Sequence, residues 1–235
     1  MSLAATPAFP PLLDGRAVAG DPFAAARDAA RVGADPGLVL FDPSAEDMDV
    51  ALLLAPEVPL EEAAAMLPLA GVALQNALGA LGPSELPVHL DWDGTVRVNG
   101  GRCGRVRAAI PATRPGAVPD WLVIGAALRV RPRSDDGGAT PEDTALHAEG
   151  CGDIAPLDLV ETWARHALLW IHRWEEEGIA PLHRDWTALA HGLGGPIRAG
   201  GHEGTFLGLD ERLGCLVKTG SGTRLVPLTT LLEET

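Results

Sequence analysis

The sequence predicts a chain of the α/β class, α+β in type, in which one large domain is followed by a small β module. Three observations predict it. Short apolar strands alternate with two long helical segments. A two-residue hairpin signal sits at Asn99-Gly100. Beyond Gly194 the texture changes to short strands separated by Gly-rich turns.

Residues 1–20 read as an irregular N-terminal segment, Pro-rich over 7–15. Asp21-Pro22 opens a helix through Arg31, because Asp caps a helix N-terminus and Pro suits its first turn. Gly37–Phe41 and Val50–Leu54 are buried strands either side of an acidic turn, Asp42 to Asp47. Pro59–Leu81 is a long Ala/Leu-rich helix with a bend expected near Pro68. A β-rich block follows: Val88–Leu90, Thr95–Val98, the Asn99-Gly100 turn, its partner strand Arg102–Ile110, and Trp121–Leu128, apolar throughout and therefore central. Residues 131–143 read as a mobile loop. Asp158–Glu177 is the clearest helix, with Trp163, Ala167, Trp170 and Trp174 along one stripe read as core, and Gly178 ending it. Three strands, 204–209, 215–218 and 223–227, form a C-terminal meander too small to be very stable alone. The domains are thus 21–192 and 193–235.

The chain has 235 residues and a formal net charge of -14. Such a surface repels phosphate backbones and anionic lipid, which argues against nucleic acid and membrane partners. No apolar run is read as long enough to span a bilayer. Cys103, Cys151 and Cys215 show no CxxC spacing, which points to the reducing cytoplasm. His147 and Cys151 are too few to hold a metal, and the remaining histidines show no ligand spacing, so no metal site is predicted.

The stretch Asp91–Val106 resembles the central hairpin of biotin–protein ligases, in which a Trp-Pro-Asn-Asp segment leads to a strand, an Asn-Gly-type turn and Lys-Val-Ala-Gly. Trp121–Val130 is similar to that family's Val-Ile-Gly-Ile-Gly-Ile-Asn-Val strand. Thr144-Ala145-Leu146 sits where the family has Thr-Ser-Leu, and Gly208–Gly214 resembles its Gly-Ile-Asp-Glu-x-Gly turn. The resemblance to the biotin/lipoate–protein ligase family runs from about residue 21 to the C-terminus. It implies a mixed sheet backed by helices, as in class II synthetase-like ligase domains, a ligand pocket against the sheet, and an SH3-like β-barrel at the end. It also implies ATP and biotin, or lipoate or octanoate, as reactants if the chain is active, and a biotinyl or lipoyl carrier domain as partner.

The chemistry of that family needs cations, because a carboxylate must meet the α-phosphate of ATP and both are anions. An Arg/Gly-rich loop and the lysine of Lys-Val-Ala-Gly supply them. Here the loop position holds the acidic turn, and Val32 to Val96 contains no Arg or Lys. The lysine slot is Arg102, whose planar fork differs from a compact ammonium. Lys218, the only lysine, lies in the C-terminal meander. Arg97, Arg102, Arg105, Arg107 and Arg129 form a basic cluster in an acidic chain. Arg102 is the candidate catalytic cation and Cys103 a weaker candidate nucleophile. Trp92, Asn99, Gly100, Gly104, Arg105, Gly125 and Arg129 are the candidate ligand-binding residues. The sequence therefore points to a ligase-like protein whose adenylating apparatus is lost or rebuilt and which binds a small carboxylic acid or acyl ligand. Its rivals are an active divergent ligase or acyltransferase, and a protein-interaction module.

Overall fold

The structure is a computed structural model and describes residues 7–133 and 142–234. Its larger sheet has eight strands: β1 (Asp14–Ala17), β2 (Leu38–Phe41), β3 (Met48–Leu54), β4 (Val88–Leu90), β5 (Thr95–Val98), β6 (Gly101–Ile110), β7 (Leu122–Leu128) and a final β12 (Glu233–Glu234). The order across it is β1-β2-β3-β7-β6-β5-β4, with β12 pairing β6 beyond the end of β5. The sheet is mixed, since β1 runs parallel to β2 and β12 parallel to β6 while the other pairs are antiparallel.

Helix α1 (Pro22–Arg31) covers one face of this sheet. The Asp21 carboxylate caps it, accepting from the Phe23 and Ala24 amides at 2.9 and 3.0 Å. Phe23 and Ala26 pack there on Ala51, Leu53 and Val123. The other face carries the main core, built on α3 (Met66–Leu81) and α4 (Pro156–Glu177), with α5 (Ala180–Leu189) beside them. The segment from Pro59 does not form one bent helix. It gives a single turn, α2 (Leu60–Ala63), and restarts as α3 with Pro68 in its first turn. A proline ring clashes with the carbonyl four residues back and offers no N–H, so it is tolerated only where a helix begins. The stretch Leu60–Leu81 is nevertheless long and apolar enough to cross a membrane by composition, contrary to the sequence reading. Its side chains are spent in the core, where Leu69, Leu74 and Leu78 are fully buried.

Of the Trp stripe of α4, Trp163, Ala167 and Trp170 are core, and Trp174 is half-buried at its edge. Trp163 donates its indole N–H to the Ala70 carbonyl at 3.1 Å, and Trp170 to Asn76 at 2.8 Å. The second sheet is antiparallel, in the order β11-β10-β9-β8, from β8 (Pro196–Ala199), β9 (His202–Leu209), β10 (Cys215–Thr219) and β11 (Gly222–Val226). It has one strand more than the meander expected. Trp92 ties it to the first domain, donating from Nε1 to the buried Leu213 carbonyl at 3.0 Å. The N-terminal stretch expected to be irregular contains β1. Part of the expected mobile loop, 134–141, lies outside the described residues.

Candidate ligand cleft

The α1 side of the sheet is open where β3, β6 and β7 pass the N-terminus of α1. A cleft of about 390 Å³ lies there, lined by Asp47, Asp49, Arg102, Arg105, Arg129 and Asp143 among others. The β6 strand reaches it through a bulge: Arg97 pairs with Arg102 and Val96 with Gly104, so Cys103 is the extra residue. Cys103 turns into the apolar core, and its Sγ donates to the Arg129 carbonyl at 3.4 Å. Burial pushes its thiol up to about 12, against a smaller opposing pull from Arg129. It stays protonated at neutral pH, which removes the thiolate that a nucleophile needs.

Each member of the predicted arginine cluster faces a carboxylate. Arg102 meets Asp143 at 2.8 Å and Glu142 at 3.3 Å, held by a backbone bridge in which its amide donates to the Glu142 carbonyl. Arg129 approaches the same Asp143 at 4.0 Å, and its Nε is buried with no hydrogen-bond partner among the described residues. Arg97 clasps Asp91, Arg105 meets Glu233 at 3.5 Å, and Arg107 meets Asp21 at 3.1 Å. The short strand β12 delivers Glu233, which sequence reasoning did not identify.

The acidic turn before β3 is closed on itself. Asp42 accepts from the Ser44 hydroxyl and amide and from the Gly20 amide at 2.7, 2.8 and 2.8 Å. Those hydrogen bonds, the Ser44 hydroxyl first, hold its carboxyl below the usual range. Asp49 behaves oppositely. Burial raises it to about 6, Asp21 and Asp42 adding to the rise and Arg107 opposing it. Asp47 accepts the Val130 amide at 2.8 Å and so fixes the β7 exit to the start of β3.

The remaining predicted residues scatter. Gly104 lines the cleft, and a Cβ there would lie 2.0 Å from the Ala127 carbonyl oxygen. Asn99 and Gly100 form the tip of the β5–β6 hairpin at φ 49 and 86, where the Asn99 side-chain Nδ2 donates to Glu149 at 2.6 Å. Trp92 points into the core at the junction of the two sheets. Over Gly125 stands the ring of Phe23: a Cβ on Gly125 would meet it at 2.5 Å. Phe23 is fully buried, and the Arg107 guanidinium stacks on its ring at 4.0 Å. The patch of strand predicted to receive a ligand is thus filled by the chain's own phenyl group. No local feature of the sequence signals that contact.

A mixed sheet with a helix and an open cleft on one face, extended by a small antiparallel β domain, is the architecture of a class II synthetase-like ligase. Residues 9–188 match the Biotin/lipoate A/B protein ligase family, and the chain belongs to that family. Residues 193–234 match a separate domain of unknown function. The chain is 28% identical over 183 residues to a biotin–[acetyl-CoA-carboxylase] ligase of Paracoccus denitrificans, covering 75% of each. It is 24% identical to the bifunctional ligase/repressor BirA of Bacillus spizizenii, spanning 55% of that protein. Among solved structures, a biotin protein ligase-like protein of unknown function from Silicibacter sp. TM1040 superposes with a TM-score of 0.90 at 51% identity, over 97% of this chain and 99% of that one. The apo biotin protein ligase of Aquifex aeolicus shares the fold, with a TM-score of 0.71 at 17% identity over 91% and 94% of the two chains.

Proposed function

We propose that this chain is a biotin/lipoate ligase-like protein that has lost or altered the adenylating reaction and binds a small carboxylic acid or acyl ligand in the cleft at Arg102. One observation carries the reading: Asp47, Asp49 and Asp143 line the same cleft as Arg102, Arg105, Arg129 and Arg133. Joining a carboxylate to ATP requires surplus positive charge at the point where two anions meet. In this cleft Arg102, Arg105 and Arg129 already face carboxylates, and the turn beside it carries acids and no base. A single carboxylate ligand asks less, since it need only take the places of Asp143 on Nε and Glu142 on the terminal nitrogen of the Arg102 fork. The relatives named as biotin ligases suggest biotin, lipoate or octanoate as the acids to try, and a carrier domain as partner. Three buried free cysteines suit a cytoplasmic setting.

Isothermal titration with biotin, lipoate and octanoate, with and without MgATP, tests the reading. A carboxylic acid should bind without ATP, and Arg102→Ala should weaken it about tenfold or more, the loss of one charge-assisted pair. Unchanged affinity in Arg102→Ala would refute the site. Failure of every acid to bind would favour the interaction-module reading, which the Phe23 ring over Gly125 also supports.

A further inference from the structure

A groove larger than the cleft lies at the opposite end of β3. It encloses about 780 Å³ between the first turn of α2, the C-terminal turns of α4 and the β9–β10 turn of the second domain. Its apolar lining includes Met66, Ile171, Trp174 and Ile179. Met66 is buried, and the other three are half-exposed. Its rim is acidic, with Glu57, Glu61, Glu62 and Glu175 all exposed. Among the described residues Arg212 is the one basic residue lining it, and Glu61 already engages it at 3.0 Å. Four carboxylates and one guanidinium leave an excess of negative charge around an apolar floor.

That combination selects its occupant. An anionic ligand is repelled, and a neutral apolar one makes no use of the acidic rim. A second copy of this chain, itself at -14, brings the wrong charge. A basic amphipathic helix satisfies both features, with apolar side chains at helical spacing against the floor and lysines or arginines on its flanks against the rim. We propose that this groove docks a basic amphipathic helical segment of a partner protein. The site is independent of the cleft at Arg102 and of whatever that cleft binds.

The probe is a fluorescein-labelled peptide of about 18 residues with leucines on one helical face and lysines on its flanks, long enough to form a helix on contact. Anisotropy titrations on the full chain compare it with a peptide of the same composition, reordered to abolish the face. A second comparison uses Glu62→Lys/Glu175→Lys, whose side chains are exposed and whose fold is checked by thermal melting. The helical peptide should bind at least about tenfold more tightly than the reordered one, and the double variant should lose about tenfold. Binding should also weaken as salt screens the rim. Equal binding of the two peptides, or equal binding by the double variant, overturns the proposal. So does full competition by spermine, which would show a site for cations without a helix. A dimer in light scattering that the double variant abolishes would assign the groove to a second copy and overturn the partner as well.

Discussion

The filled state of the strand at Gly125 can be tested by a double-mutant cycle. Phe23 is fully buried, so Phe23→Ala removes a phenyl group at about 3–5 kcal/mol and forfeits the stacking of Arg107. Gly125→Ala puts a methyl 2.5 and 3.2 Å from two atoms of the same ring. Overpacking of that kind costs about 1–3 kcal/mol. The two changes should not add. In the Phe23→Ala background the new methyl enters vacated space, and Gly125→Ala should then cost under about 1 kcal/mol or stabilise slightly. Urea denaturation of the four proteins gives the coupling directly, expected at about 1–3 kcal/mol in the direction of mutual relief. Costs that add within about 0.3–0.5 kcal/mol would mean that Phe23 does not occupy the space over Gly125, and the account of the filled site would fail.

Two further outcomes follow from the buried titratable groups. Asp49 is raised from 3.8 to about 6, so the folded state holds its proton more tightly than the unfolded chain does. That contribution to stability is complete below pH 3.8 and is lost as pH rises through about 6. Asp49→Asn should therefore gain little over the wild type near pH 3.5 and up to about 3 kcal/mol above pH 6.5, with the rise between. A pH-independent difference in melting or urea midpoints would contradict it. The thiols make a second case: Cys103 is pushed up to about 12 and Cys215 to about 11, both by burial, and Cys151 is raised as well. Iodoacetamide at pH 8 should label the native protein far more slowly than the urea-unfolded one. Rapid native labelling at Cys103 would restore it as a nucleophile.

Much of the fold was legible because its signals are local. The Asp21 cap, the Asn99-Gly100 turn and the Trp stripe of α4 each lie within a few residues and act through backbone geometry or helical period. The strands that escaped reading lacked such signals. All four residues of β1 are exposed at the edge of the sheet, so no apolar pattern marks them. β8 has four residues, and β12 has two, placed only by pairing with β6. The candidate site was legible as a list of residue types and not as an arrangement. Arg102 was identified, but the acid that holds it is 41 residues away, set by a backbone bridge across the loop. Trp92 carried a family likeness, yet its indole serves the junction between the sheets. Phe23 looked like an ordinary apolar residue of α1, and only the sheet's register brings it onto Gly125.

The central claim is that arginines already matched by carboxylates will not join an acid to ATP. Exchange of labelled pyrophosphate into ATP in the presence of biotin, lipoate or octanoate and magnesium measures that step alone, without a carrier protein. The account predicts exchange indistinguishable from a blank without enzyme. Exchange at an ordinary enzymatic turnover, about 1 per second or faster, would contradict it.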